Sequence, residues 1–296
     1  MGPKPVALND HIFGLADGIV GTVAFGNIYG TEQFAQKKHF QHMVIDQHMD
    51  PERPKPENGG DLVDVLINLW KEHQSTLQFT RDHVKAMINN TFIGGIDTSS
   101  VTMLWAMSEL IRKPQEEVRT VVGNKERVQP DDMPKLTYLK MIVKETLRLH
   151  PPATLLLPRE TLRDVKIGGY DVPVKTRVFV NAWAIGRDPA SWTDAQEFNP
   201  DRFEALPDVD INGAHYELIP FGAGRRICPG LAMGMANVEF TLANLLCCFD
   251  WSLPEGMKPE DVSMEEAGGL TFHRKTPLVL VPTRYTRSLS SNNGAC

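Results

Sequence analysis

Apolar residues fall nearly all the way round the stretch 80–113, at Met87, Ile88, Phe92, Ile93, Ile96, Val101, Met103, Leu104, Met107, Leu110 and Ile111. A stripe that wide predicts one long helix at the centre of the fold, with neighbours on most of its sides. A second helix is predicted to end near His150, where Pro151-Pro152 stops it, with Tyr138, Leu139, Ile142, Val143 and Leu147 on its buried side. Residues 231–248 read as a further apolar helix, and Asp61 is placed to cap a short amphipathic one ending near Glu72, with Leu62, Val65, Leu66 and Leu69 on one face. Strand signals are weaker. The alternation over 177–181 and the β-branched run 165–167, with Gly168-Gly169 as its turn, predict a small sheet, and 278–281 reads as one more strand. Three prolines and a Gly pair make 51–60 a connector.

The pattern is therefore that of a mainly α chain with a small β-region, and 42% hydrophobic residues in 296 are enough for a sizeable core. The apolar run 12–25 is interrupted by Asp17 and three glycines, and it is shorter than the roughly 20 residues that span a bilayer. The first ten residues have no apolar stretch of the secretory type, so neither an anchor nor a signal peptide is expected. A net charge of -6 argues against nucleic acid as a partner and leaves small molecules as the expected ligands. Four cysteines, Cys228, Cys247, Cys248 and Cys296, form no C-x-x-C pair and no disulfide or zinc spacing, which fits a reducing compartment.

The strongest chemical signal is Phe221-x-x-Gly224-x-Arg226-x-Cys228-x-Gly230, immediately ahead of the apolar helix at 231–248. Cys228 lies at the N-terminal edge of that helix, where backbone N–H groups and the helix dipole favour a thiolate, and Pro229 suits a first helical turn. Gly222, Gly224 and Gly230 are expected to take positive φ and to let the backbone approach a flat macrocycle. Arg226 is suited to a haem propionate, and Phe221 to keeping water from the sulfur. Read this way, the loop presents Cys228 to a haem iron; the alternative is a glycine-rich turn around a buried cysteine. Cys247 and Cys248 read as core residues, and Cys296 as part of a polar tail.

Gly94-Gly95, inside the long helix, cost about 1 kcal/mol each relative to alanine, so the space they leave has a use. Two uses stay open. One is room for a ligand beside the polar Asp97 and Thr98, placed to deliver protons. The other is a close helix crossing, with Thr98 bonded back to a carbonyl. Glu145 and Arg148 share a helix face, and Arg202 is positioned to complete a Glu-Arg-Arg cluster that serves as scaffold. The nine histidines show no His-Glu-x-x-His pattern; His39, His42 and His48 read as solvated and receive no metal. Arg112, Lys113 and Arg119 read as a solvated helix end, with a docking patch as the alternative.

In order, the cysteine loop, Glu145-x-x-Arg148, Pro200-x-Arg202-Phe203 and Gly95-x-Asp97-Thr98 resemble the motifs of cytochrome P-450 monooxygenases. Asn199 to Phe203, Pro220 to Gly230 and Ala182 to Pro189 look like the plant microsomal branch of that family. The resemblance runs over 11–285 of a single partial domain, 1–296, with 286–296 a polar tail. It implies an incomplete cytochrome P-450 fold, haem b (iron protoporphyrin IX) between the long helix and the loop, and insertion of one oxygen atom from O2 into a hydrophobic small molecule. Electrons would come from NADPH through an NADPH-cytochrome reductase. By motif, Cys228 is the axial ligand, Asp97 with Thr98 the oxygen-activating pair, and Glu145, Arg148 and Arg202 the structural triad. Phe221, Gly224 and Gly230 complete the loop, and Arg226 with Arg159 meets the propionates. The substrate is expected against Ile88, Phe92 and Ile96, against Ala153 and Leu155, and against Leu270; terpenoids, indole derivatives and phenolics are the expected classes.

The same resemblance implies the cytosolic face of the endoplasmic reticulum membrane for the family. This chain departs from it in showing no anchor, proline-rich hinge or Trp-x-x-x-Arg haem contact before His11, and in an apparent internal gap near 40–44. A soluble cytoplasmic form, and a truncated product with weak or no haem binding and no turnover, are therefore retained as alternatives.

Overall fold

The computed structural model describes residues 3–26, 29–30, 40–53, 60–73, 79–112, 117–122, 125–269 and 271–286. Nine helices are described: α1 Leu8–Phe25, α2 Phe40–His48, α3 Leu62–His73, α4 Arg81–Arg112, α5 Glu117–Val122, α6 Thr137–Leu149, α7 Ala182–Ile185, α8 Arg202–Ala205 and α9 Leu231–Cys248. Strands β1 Val6–Ala7, β9 Val279–Arg284 and β6 Phe249–Ser252 form an antiparallel sheet in the order β1-β9-β6. Three two-stranded pairs complete the β-structure: β2 Arg159–Glu160 with β5 Arg177–Val178, β3 Val165–Ile167 with β4 Tyr170–Val172, and β7 Glu266–Ala267 with β8 His273–Arg274.

The long helix is central, as its all-round apolar pattern predicts. Thr80 starts it, its carbonyl accepting from the N–H groups of His83 and Val84. The C-terminal half of α4 (Met103, Leu104, Met107) joins Ile12 of α1, Val143 of α6, and Val238 and Leu242 of α9 in the main core. Its N-terminal half (Val84, Ile88) joins Phe25 of α1, Val44 of α2, and Val63 and Leu66 of α3 in a second core. Helix α9 is the one described helix long and apolar enough to cross a membrane, but Val238, Leu242 and Ala243 are buried in the main core.

Sequence patterning missed α1, because Gly14, Gly18 and Gly21 interrupt its apolar run. Tertiary contacts hold it instead. Asn9 Oδ1 accepts from the backbone N–H of Leu278 at 2.8 Å, and a side chain added at Gly21 would run into the ring of Tyr29.

The hairpin β3–β4 turns at Gly168-Gly169, both at positive φ, as expected. The expected strand at 177–181 stops at Val178, because Asn181 caps α7 by accepting from the N–H of Ala184 at 2.9 Å. Asp61 caps α3 by accepting from Val63 and Asp64 N–H at 3.0 and 3.1 Å.

Two surface readings need correction. His48 is buried, its Nδ1 2.7 Å from the Val44 carbonyl and its Nε2 2.8 Å from Asp61 Oδ2. Arg53, 3.2 Å from Asp61 and 2.5 Å from Asp64, pairs with both carboxylates of this cluster. Asp61 is held below the ordinary carboxylate range, because the bonds from His48, with Arg53 adding to them, outweigh the upward push of burial, its largest single influence. Arg119 is a clamp rather than a solvated end: it donates to the Leu246 and Phe249 carbonyls at 3.2 and 2.8 Å, pairs with Asp250 at 2.7 Å, and lies 3.9 Å over the Tyr285 ring. His39, Lys113 and Cys296 lie outside the described residues, as does the Arg112 side chain.

Candidate functional site

Cys228 sits half-buried three residues ahead of the first residue of α9. Its N–H donates to the Phe221 carbonyl at 2.9 Å, closing the loop, and its own carbonyl accepts from Leu231 N–H at 3.4 Å as the helix begins. Gly222 and Gly224 take φ of +76° and +70°, as expected of glycine. Gly230 does not: as the N-cap of α9 it has φ -89°, because it already belongs to the helix start. Gly213, which sequence reasoning passed over, lies against the loop at φ +81°; a side chain there would come within 3.0 Å of Ala223 Cα. Phe221 packs on the main core, while Arg226, in the short turn Gly224–Arg226, and Arg159 are exposed. Cys247 is buried, as expected, and the Cys248 thiol lies 3.7 Å from the Glu126 carbonyl oxygen.

Glu145, Arg148 and Arg202 come together. The Arg148 guanidinium donates from Nε and Nη2 to the two oxygens of Glu145, both at 2.7 Å, and Arg202 Nε donates to Glu145 Oε1 at 3.1 Å. Asn199 N–H adds a fourth bond to that carboxylate at 2.8 Å. The other Arg148 donors reach the carbonyls of Gly186, Ala195 and Glu197 at 2.5, 2.7 and 2.9 Å. One guanidinium thereby gathers a turn, a loop and a helix. A narrow crevice bordered by Arg148, Gly186, Leu218, Ile219 and Pro220 marks where this cluster abuts the chain leading into the cysteine loop.

The two glycines of α4 divide the two uses left open by the sequence. Gly95 faces a helix crossing, where an added Cβ would meet both Val20 methyls at 3.1 Å and Met233 Cε at 3.5 Å. Gly94 faces open space, with nothing within 4 Å of an added Cβ. Thr98 donates to the Gly94 carbonyl at 2.6 Å, and Asp97 Oδ2 accepts from Thr271 Oγ1, also at 2.6 Å. Thr98 and Asp97 therefore bond to different neighbours.

Helical spacing then shows which side of α4 is free. Met87, Asn90, Ile93 and Gly94 are exposed, with Asp97 and Thr98 half-buried beside them. Ile88 and Phe92 lie on the opposite side: Ile88 is fully buried in the second core, and the Phe92 ring packs 5.3 Å from that of Phe25. Ile96 packs against the main core. All three face neighbouring helices. A pattern apolar on every side carries no phase, so the sequence could not tell the free side from the packed one. Ala153 is half-buried and Leu155 exposed, and Leu270 lies outside the described residues.

The paired glycines yield a stability prediction. In the haem-free protein, Gly94→Ala should raise the unfolding free energy by about 0.5–1 kcal/mol, because alanine is the better helix former and nothing stands in its way. Gly95→Ala should lose that gain to crowding at Val20, at a cost of about 1–3 kcal/mol. Urea midpoints of the two variants check the ordering; equal midpoints would contradict it.

A family model described as Cytochrome P450 matches residues 26–281, which includes the long helix, the triad and the cysteine loop. The chain belongs to the cytochrome P450 family. Among curated P450 relatives it is 62% identical over 335 aligned positions to a 4-hydroxyphenylacetaldehyde oxime monooxygenase of Sorghum bicolor, covering 95% of this chain and 63% of that protein. A 2-methylbutanal oxime monooxygenase of Manihot esculenta is 42% identical, covering 96% of this chain and 65% of that protein. A solved zebra fish cytochrome P450, crystallised with abiraterone, superposes with a TM-score of 0.74 at 25% identity, covering 94% of this chain and 65% of that one. The chain thus spans less than two thirds of these P450 relatives. Since 335 aligned positions exceed its 296 residues, the sorghum protein also carries residues within the matched span that this chain does not.

The residues present fit a haem iron. The donor is a single soft thiol, half-buried at the start of an 18-residue helix, with the side chains of Arg226 and Arg159 free at the surface to meet carboxylates.

Proposed function

We propose that this chain holds haem through Cys228 and serves as the catalytic region of a monooxygenase acting on aldoximes with an apolar or aromatic side chain. The single observation that carries the reading is the cysteine loop itself. It is closed by the Cys228-to-Phe221 backbone bond and set on the N-terminus of α9. The aldoxime class rests on the likeness to the sorghum and cassava oxime monooxygenases. Phe221, Gly224 and Gly230 shape the loop, and Arg226 and Arg159 would meet the propionates.

When bound, haem with a thiolate ligand supplies the one-electron and O2 chemistry, the sulfur pushing electron density toward the iron. The chain's own residues bind, shield and supply protons. Ile93 and Met87 offer apolar surface on the open side of α4, and Gly94 leaves the backbone bare there. Thr98 keeps its proton on the Gly94 carbonyl, so its oxygen lone pairs are what it offers a donor from the open side. Asp97, with Oδ2 given to Thr271, has Oδ1 as the atom that can hold a proton. Electrons are proposed to come from NADPH through an NADPH-cytochrome reductase. The cytosolic face of the endoplasmic reticulum is the place proposed for the whole protein.

The test is purification after expression with ample haem, then incubation with a reductase, NADPH, O2 and 4-hydroxyphenylacetaldoxime. The expected results are bound haem, consumption of the oxime and an oxygen-dependent product. Protein that folds but takes up no haem would instead be a fragment without turnover. Haem uptake without oxime consumption would overturn the substrate class alone.

A further inference from the structure

The free side of α4 does not stay free along its length. From Met87 through Asn90 to Gly94 it is exposed, but from Trp105 through Ser108 to Glu109 it is covered. The cover is the β7–β8 hairpin and its tip. Trp105 Nε1 donates to the Phe272 carbonyl at 3.3 Å, and Arg274 Nη1 donates to Ser108 Oγ at 2.8 Å. At the base, His150 lies between Glu109 at 3.0 Å and Glu266 at 3.4 Å, with its ring stacked on Trp105 at 4.1 Å. The tip also reaches the segment that follows α6, where Phe272 N–H donates to the Pro152 carbonyl at 2.9 Å.

The bond from Thr271 to Asp97 marks the border between these two halves. It joins residues 174 apart in sequence at 2.6 Å, Thr271 is buried, and the next residue of the helix is Thr98. Of the described bonds that Thr271, Phe272 and Arg274 make to the helix, it lies nearest the N-terminus of α4. A bond to a carboxylate is of the stronger, charge-assisted kind.

We propose that Thr271 is a positioning residue: its hydroxyl fastens the hairpin tip to Asp97, sets the end wall of the open side of α4 and holds the Asp97 carboxylate apart from Thr98. The proposal rests on the reading of that open side as the place where haem and substrate meet. It assigns Asp97 two tasks for its two oxygens, one as the anchor of the clasp and one toward the site. It also makes residue 271, remote in sequence from the helix motif, a determinant of how the pocket closes.

Four full-length proteins test it: wild type, Thr271→Val, Thr271→Ser and Asp97→Asn. Hydrogen exchange is followed by mass spectrometry on peptides covering 266–274 and 90–100, with and without haem. Valine keeps the shape of threonine and loses the donor, so exchange in both segments should rise by about tenfold or more, the equivalent of one lost bond to a charged group. Serine should restore protection. Asparagine keeps an acceptor oxygen for Thr271 but loses the charge, so exchange of 266–274 should rise, by less than in the valine variant. In haem-loaded protein, the spectral shift on adding 4-hydroxyphenylacetaldoxime should weaken in the valine variant and return in the serine variant.

Wild-type exchange in Thr271→Val overturns the clasp, and so does a rise spread equally over α6, which would mark a general loss of stability. If no protein takes up haem, the functional reading fails while the exchange data still decide the clasp. Restored protection in the serine variant without a restored spectral shift would confine Thr271 to stability and overturn its positioning role.

Discussion

Replacing Cys228 by serine is expected to abolish the red-shifted Soret band of the reduced carbon monoxide complex while leaving the fold intact. The two halves of this expectation have separate causes. A hydroxyl is a harder and far less acidic donor than a thiol, so serine cannot supply the thiolate that defines the band. The bonds that shape the loop, from Cys228 N–H to the Phe221 carbonyl and from Leu231 N–H to the Cys228 carbonyl, are backbone bonds that serine keeps. The φ of Gly222 and Gly224 is likewise untouched. Helicity by circular dichroism and the urea midpoint should therefore stay within about 0.5 kcal/mol of the parent, as for substitutions outside special features. Retention of the band would remove Cys228 as the ligand, and with it the proposed function. Loss of helicity alongside the band would show instead that the side chain is needed for packing.

The parts of the site legible in the sequence are those whose spacing is dictated by local geometry. A ligand at a helix start needs its glycines, arginine and proline within a few residues, so the loop 221–230 stood out in the sequence, although the φ expected of Gly230 was wrong. Glu145 and Arg148 are three apart on one helix, which places them on one face in any context. Arg202 was legible only because Pro200-x-Arg202-Phe203 accompanied it. The structure adds what no spacing encodes. Arg148 spends three of its bonds on the carbonyls of Gly186, Ala195 and Glu197, whose positions depend on tertiary folding.

Three things were not legible, each for its own physical reason. The free side of α4 was not legible because an all-round apolar helix gives no phase; contacts with Phe25, Val20 and Met233 set that phase. The use of Gly95 was open because a glycine in a helix admits a ligand and a crossing helix equally well. Thr271 gave no signal at all, since a lone threonine in a loop has a partner only once the chain is folded. His48 shows the converse error: a histidine among polar residues read as solvated, whereas Asp61, thirteen residues on, draws it into the interior.

The largest stability effect is expected at Glu145. Its carboxylate is fully buried, and it receives both forks of Arg148, the Nε of Arg202 and the N–H of Asn199. Glu145→Ala removes one negative charge and leaves the fully buried Arg148 without its counter-ion, and breaking a buried pair in this way costs about 3–5 kcal/mol. Set against total stabilities of about 5–15 kcal/mol, that is about a fifth or more of what holds an ordinary domain together. Glu145→Gln keeps one acceptor oxygen but turns an amide N–H toward a guanidinium, so it should recover only a minor part of the loss. Arg202, at the edge of the cluster and exposed by 8% in its side chain, should be the milder site when replaced by lysine. The order expected from urea midpoints is therefore Arg202→Lys above Glu145→Gln above Glu145→Ala. Arg148 borders residues 218–220, the chain that leads into the cysteine loop. Haem retention should consequently fall in both Glu145 variants at urea concentrations where helicity persists. A Glu145→Ala protein within about 1 kcal/mol of the parent would mean that water reaches Arg148 and that the cluster is not the scaffold its geometry describes.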